Sequence, residues 1–426
     1  MADSLVQLSS SAFRGLPLPS GLALKLGELV GRRVLDGSVA PPIALLKRSD
    51  VDHNAAWMRG FIQKRDITLW PHGKTSMAPA IFGWQVAQGA EWLSLASATQ
   101  AHVARQAGFN RILIANQVVN RFDLEYLAHG LTTDPGFDVM CFVDSVAGVL
   151  RFAEALSQAG CPRKIGLLLE IGAAGGRAGV RSLDDALAVA KAVAASPHLS
   201  LAGLAGYEGI YTPKDPESVA KVDRYLAHIV EMARVLDTQH LFAGEKIILS
   251  AGGSKFFDRV AIQFGAARLS RPIKTVIRCG CYLFHDVGIY EEAMQGLYQR
   301  DPIAAELGRL RPALEIWAQV QSRPEPTRAI VAMGRREASY DAGLPVPQLW
   351  CRPFPGAQPS ILSGCRVAAL NDQHAFLDLP ADSPLDVGDL VGFGISHPCT
   401  VFDKWHMLCV VDDDYVVTEV VRTNFT

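Results

Sequence analysis

Short apolar runs alternate with amphipathic segments over the first two-thirds of the chain. The runs fall at 67–74, 92–97, 111–117, 138–144, 164–172, 201–209, 246–253 and 275–283. Between them, stretches such as 145–159, 182–195 and 216–236 repeat apolar residues at three- and four-residue spacing, the period of a helix with one buried face. Apolar strands alternating with helices predict a parallel sheet, and eight of them predict a closed (β/α)8 barrel, an α/β fold whose main rival is a doubly wound open sheet. Beyond the polar and charged stretch 290–308 the pattern changes. Strand-like runs at 315–321, 327–332, 366–370, 375–379, 390–395 and 415–421 are separated by proline and glycine, as in Leu344-Pro345-Val346-Pro347 and Pro353-Phe354-Pro355-Gly356. That predicts an all-β second domain. The expected division is a barrel over 40–300 and a β-rich domain over 301–426, joined by part of 1–39. The run Pro42-Ile43-Ala44-Leu45-Leu46 either returns to the β domain or covers the barrel.

Composition narrows the class. In 426 residues, 41 Lys and Arg stand against 43 Asp and Glu, a net charge of -2, so nothing suggests a nucleic-acid partner. Residues 1–21 show no basic segment followed by an apolar core, so no secretory signal is expected. The longest apolar stretches fall far short of a membrane span, and no membrane association is expected. The eight cysteines form no CxxC pair and no dense disulfide framework, which points to a reducing cytoplasm.

In a barrel of this type, chemistry sits at the carboxyl ends of the strands. The first strand ends in Pro71-His72-Gly73-Lys74-Thr75, where a desolvated lysine amine can condense with an aldehyde. The fifth is followed by Gly175-Gly176-Arg177-Ala178-Gly179, and the sixth ends in Tyr207-Glu208-Gly209. The seventh ends in Ser250-Ala251-Gly252-Gly253-Ser254 before a helix start at Phe256-Phe257-Asp258, the pattern of a phosphate nest at a helix N-terminus. The eighth ends in Gly280-Cys281-Tyr282. No GxxxxGK[ST] and no dinucleotide fingerprint is present, so the phosphate belongs to another kind of ligand. A strand-one lysine facing a phosphate nest suits pyridoxal 5'-phosphate.

These motifs, with Ile112-Leu113-Ile114-Ala115-Asn116 and Glu170-Ile171-Gly172, resemble those of the alanine-racemase-fold family that contains D-threonine aldolase and eukaryotic-type D-serine dehydratase. The resemblance runs from about residue 40 to the C-terminus. It implies a pyridoxal-phosphate enzyme in which Lys74 carries the cofactor and acts as base at Cα. It implies Arg177 beside the cofactor's phenolic oxygen, Tyr207 and His72 near the ring, and Ser250, Gly252, Gly253, Ser254, Gly280 and Tyr282 around the phosphate. It further implies a homodimer and a small D-amino acid as substrate.

His397-Pro398-Cys399 follows a strand-like run; on an extended segment its imidazole and thiolate face one side, a soft pair suited to zinc. In the family, aldolases resemble His-x-Asp here and dehydratases His-x-Cys, so the resemblance implies β-elimination from a D-3-hydroxy amino acid to a keto acid and ammonia. Retro-aldol cleavage to glycine and an aldehyde is the alternative, with racemisation or non-catalytic cofactor carriage further ones. Cys279 and Cys281 read as core thiols with no third ligand evident near them.

Overall fold

The computed structural model describes residues 28–212 and 217–425; the reading of residues 1–21, and the part of 1–39 before residue 28, lie outside the described residues. Strand β1 (Ile43–Lys47) and helix α1 (Arg48–Arg65) come first. Eight parallel strands follow: β2 (Thr68–Leu69), β3 (Leu93–Leu95), β4 (Arg111–Gln117), β5 (Asp138–Val143), β6 (Ile165–Glu170), β7 (Leu199–Ala205), β8 (Ile247–Ala251) and β9 (Ile273–Ile277). Their spatial order is β2-β9-β8-β7-β6-β5-β4-β3, and an isolated parallel bridge between His72 and Ser94 brings the two ends together. There the Ser94 N–H donates to the Pro71 carbonyl at 2.9 Å, and its hydroxyl to the Trp70 carbonyl at 2.8 Å. The sheet therefore curls round on itself, as the eight-run pattern predicts. Its interior is a packed apolar layer, with Trp70 and Trp92 stacked at 5.2 Å over Leu113, Phe142 and Leu168.

Helices α2 (Pro79–Ala87), α3 (Ala98–Gln106), α4 (Arg121–Thr133), α5 (Val146–Gln158), α6 (Leu183–Ala195), α7 (Ser218–Thr238) and α8 (Phe257–Ala266) connect the strands. Ser97, Ser145 and Ser182 cap three of them by accepting the N–H groups of Gln100, Gly148 and Asp185. Each such cap contributes about 1 kcal/mol and fixes where the helix begins. The stretch read only as polar and charged is helical, forming α9 (Ile289–Arg300) and α10 (Pro302–Glu306).

The second sheet contains β10 (Leu314–Glu325), β11 (Arg328–Val331), β12 (Val346–Cys351), β13 (Ser360–Ile361), β14 (Arg366–Leu370), β15 (Ala375–Asp378) and β16 (Leu390–Gly394). A four-residue helix, α11 (Cys399–Phe402), leads to β17 (Met407–Val411) and β18 (Val417–Arg422). Its main path is β13-β12-β16-β10-β1-β17-β18, with β11, β15 and β14 running off β10. Of the two places open to the run at 42–46, the structure takes the first: β1 lies between β10 and β17 in this sheet. Strand β12 escaped the sequence reading because Pro347 interrupts it. Proline offers no N–H to the ladder, and the pairing with β16 shifts register beside it.

Asn54 on α1 ties the barrel to the second sheet. Fully buried, it donates to the carbonyls of Leu283, at 3.1 Å, and Arg311, at 2.7 Å, and accepts the Arg311 N–H at 2.8 Å. Asn54→Leu keeps the branched shape but strands those backbone groups, so it should cost on the order of 3 kcal/mol in urea unfolding.

Candidate active site at the barrel mouth

The carboxyl ends of the strands enclose a cavity of about 220 Å³, lined by His72, Lys74, Asn116, Phe142, Arg177, Tyr207, Gly252, Gly253 and Arg278. Lys74 does not end the strand itself. It stands beyond β2 on a single 3-10 turn, Gly73–Thr75, and its side chain is exposed at the cavity mouth. The desolvation expected from a buried strand end is thus not supplied at this position. The turn is held down by close packing, because a Cβ on Gly73 would come within 2.7 Å of the Phe82 ring.

His72 faces the cavity from the same turn. The residue as a whole is half-buried, yet its ring nitrogen Nδ1 is sealed from solvent and has no hydrogen-bond partner. Burial, reinforced by the charges of Lys74, Arg278 and Arg177, holds its pKa well below the ordinary value. It is a neutral imidazole among cations.

Arg177 lies on the loop after β6. That loop closes on itself: Ile171 bridges Val180, and the Arg181 guanidinium gathers the carbonyls of Gly176, Arg177, Ala178 and Gly179. The Arg177 guanidinium sits 5.0 Å from the centre of the Tyr207 ring and 3.7 Å from Glu170. Tyr207 is anchored through its backbone, whose N–H donates to the Tyr225 hydroxyl at 3.0 Å; that hydroxyl in turn donates to the Ile171 carbonyl at 2.6 Å.

Two residues in this wall were not singled out from the sequence. Glu208 is completely buried, and its carboxylate accepts the N–H of Gly252 at 2.9 Å and of Gly253 at 2.7 Å. The chain therefore fills with its own carboxylate two amides of the expected phosphate nest, which leaves Ser254 and the turn at Gly280 on that side. Gly252 adopts the left-handed conformation with φ of 87°, as a nest requires. Desolvation raises the Glu208 pKa, while its two amide partners and Arg278 oppose that rise. Arg278, just past β9, is 6% exposed and donates to the Ser250 hydroxyl at 2.5 Å and the Gly206 carbonyl at 2.6 Å. Ser250 is fully buried and serves as that support. Tyr282 is likewise buried. An R-x-G-x-Y spacing at the last strand was the available signal for Arg278.

The second constellation meets the first at Thr75. His397-Pro398-Cys399 is not extended: Pro398 has helical angles and Cys399 opens α11. The side chains still converge. His397 Nδ1 lies 2.6 Å from Asp341 Oδ2, and Asp341 Oδ1 accepts the Thr400 hydroxyl at 2.7 Å. The ring's other side faces Cys399; that hydrogen bond is the main reason the imidazole pKa is pushed up to about 9. Hydrogen bonds from Cys281, and then from His397 and Thr75, hold the Cys399 thiol well below its ordinary range. Each partner thus favours the charged form of the other. Cys279 and Cys281 are both buried thiols, as expected, but Cys281 also meets the second constellation. The strand has ended at Ile277, and the turn that follows aims Cys281 at Cys399, 3.4 Å away. Among the described residues, no three His, Cys, Asp or Glu side chains are already spaced as a metal site.

Comparison with known proteins agrees with this architecture. Residues 46–285 match the family model "Alanine racemase, N-terminal domain", and residues 313–411 match "Putative serine dehydratase domain". A D-threonine aldolase of Arthrobacter sp. is 28% identical over 413 residues, covering 96% of this chain and 97% of its own. A 3-hydroxy-D-aspartate aldolase of Paracoccus denitrificans is 24% identical over 73% of this chain and 76% of its own. The crystal structure of D-threonine aldolase from Filomicrobium marinum superposes with a TM-score of 0.76 at 25% identity, covering 92% of this chain and 97% of that one. D-threo-3-hydroxyaspartate dehydratase from Delftia sp. HT23, at 20% identity and a TM-score of 0.70 over 91% and 98%, shares the fold.

His72 yields a pH signature. Its pKa in the folded chain lies below the ordinary 6.5, so as pH falls through about 6.5 the unfolded chain binds a proton here first. Stability should fall with pH in that window, by up to about 1.4 kcal/mol per pH unit from this ring alone. Urea midpoints of the parent chain and His72→Gln, measured at about pH 7.5 and about pH 5.5, should show a shallower loss in the variant.

Proposed function

We propose that this chain, which belongs to the family of the alanine racemase N-terminal domain, is a pyridoxal-phosphate-dependent lyase that removes water and ammonia from a D-3-hydroxy amino acid. The lyase class and the hydroxylated D-amino acid substrate are supported by the aldolases and the dehydratase it resembles. The choice of β-elimination rests on one observation: the His397 and Cys399 side chains converge beside Thr75, on the turn that carries Lys74.

The cavity fits the cofactor. Three cations, Lys74, Arg177 and Arg278, face it against two carboxylates, Glu170 and Glu208, so an anion is welcome, and the unpartnered His72 Nδ1 marks a polar place in its wall. Lys74 would hold the cofactor through Nζ, with Arg177, Tyr207 and His72 around it and Ser254, Gly280 and the Tyr282 backbone toward its phosphate. The nest glycines Gly252 and Gly253, and Ser250 behind Arg278, would shape that side. When bound, the cofactor would supply an electron sink for charge developing at the substrate's Cα. Once the substrate's amine has replaced it on the cofactor, the Lys74 amine would take the Cα proton from the one face it occupies, so only one configuration would react. Arg177, a permanent cation, keeps a neighbouring oxygen ionised.

The donor set at His397 and Cys399 fits zinc. Asp341 fixes the imidazole through Nδ1, the outer support that metal-bound histidines ordinarily have, and leaves Nε2 toward the thiolate. Two protein ligands leave room for a substrate hydroxyl, and zinc there would act as a Lewis acid on the leaving oxygen. The family's usual assembly supports a homodimer.

Retro-aldol cleavage is the second reading, favoured by the aldolase named among the relatives that span nearly the whole chain. A product assay on D-serine, D-threonine and D-phenylserine decides. Keto acid with ammonia is expected; glycine with an aldehyde as the main products moves the chain to cleavage, and racemised D-alanine rejects both.

Two variants test the assignments. Lys74→Ala should fold but lose the visible absorption of bound cofactor, and borohydride labelling of the parent chain should map to Lys74. Asp341→Ala removes the support of His397, so zinc affinity measured against a competing chelator should fall by about 10- to 100-fold.

A further inference from the structure

Cys281 takes no part in the chemistry above, although it touches the metal pair. It belongs to the one-turn helix after β9, on the barrel, whereas Cys399 opens α11 in the other half of the molecule. Separated by 118 positions in sequence, their sulfurs are 3.4 Å apart. Thr75 Oγ1 lies against both, 3.6 Å from Cys281 Sγ and 3.4 Å from Cys399 Sγ. The two sulfurs differ in access: Cys399 is half-buried, and Cys281 is 3% exposed.

We propose that Cys281 and Cys399 are an oxidisable pair that closes to a reversible disulfide under a hydroperoxide, covalently joining the barrel to the β domain and withdrawing Cys399 from metal binding. The half-buried sulfur meets the oxidant first. The Cys399 sulfur attacks one oxygen of hydrogen peroxide, the O–O bond breaks, and a sulfenic acid forms on Cys399, while the other oxygen leaves as hydroxide and takes up the proton lost from the Cys399 thiol, as water. Cys281 then attacks the Cys399 sulfur; the S–O bond breaks, and the departing hydroxide takes up the Cys281 proton as water. Two thiols lose two electrons, and one peroxide becomes two waters. A disulfide is about 2.05 Å long, so the sulfurs must approach by a little over about 1 Å. Loss of the metal pair rests on the reading given under Proposed function; the cross-link itself rests only on the two thiols.

The test uses the full chain, reduced, cleared of metal with a chelator and exposed to hydrogen peroxide. Free thiols are then blocked, and the digest is mapped by mass spectrometry without reduction. The expected result is one linked peptide pair containing Cys281 and Cys399, released by dithiothreitol, with two thiols lost of the eight. In Cys281→Ser the link disappears, and dimedone traps the sulfenic acid on Cys399. Should that variant fail to fold, Cys399→Ser serves instead, and its Cys281 should remain alkylatable. The proposal is overturned if the parent chain carries oxidised Cys399 while Cys281 stays free, or if Cys399 pairs with another cysteine. Neither cofactor nor substrate enters the measurement, so its failure leaves the lyase reading standing.

Discussion

A Cβ on Gly280 would stand 2.3 Å from the carbonyl oxygen of His72, closer than any side chain allows. That contact presses the turn after β9 directly onto the turn after β2. Everything at the barrel mouth depends on it. The two turns carry Lys74 and Thr75 on one side and Cys281 on the other. With them in contact, the hydroxyl of Thr75 reaches Cys281 and also the first residue of α11. The bridge from His72 to Ser94 holds the same turn from its other flank, so the segment bearing Lys74 is clamped between β3 and the turn after β9.

Behind that clamp the barrel buries charge, which is tolerable only where partners are in place. Arg278 is surrounded by the Ser250 hydroxyl, the Gly206 carbonyl and the fields of Glu208 and Glu170. Glu208 spends its carboxylate on the two glycine amides that a simple reading of the motif assigns to a ligand. The result is a rigid wall with a surplus of positive charge facing the cavity. A neutral His72 stands among these cations because protonating it would add a further charge to a sealed place.

The β domain supplies a different chemistry to the same point. Its sheet incorporates β1, the strand that leads into the barrel, so the two halves share chain at both ends of the barrel. Asn54 fastens the joint through backbone groups of residues 283 and 311. This positions α11, and with it the Asp341, His397 and Cys399 series, against the barrel rather than at the end of a free loop. A hard, cationic cavity and a soft sulfur and imidazole pair thereby meet at Thr75.

Periodicity alone determined the eight barrel strands, because a strand buried on both faces must be apolar along its whole length and a covering helix on one face only. The seryl caps at Ser145 and Ser182 likewise mark helix starts locally, since the capping bond spans only three residues. Lys74, Arg177, Tyr207 and the glycines around residue 252 were legible because strand ends in such a sheet converge on one face. Local signals could not reveal β12, whose proline hides it, or choose the place of β1, whose partners lie more than 250 residues away. Nor could they reveal that Glu208 fills the nest, that Arg278 is a buried cation in the cavity wall, or that Cys281 faces Cys399. Each of these is a contact between distant segments, decided by how the sheet curls and where the second sheet docks. The sequence by itself determined which residues end the strands; only the tertiary structure decided which of those residues meet.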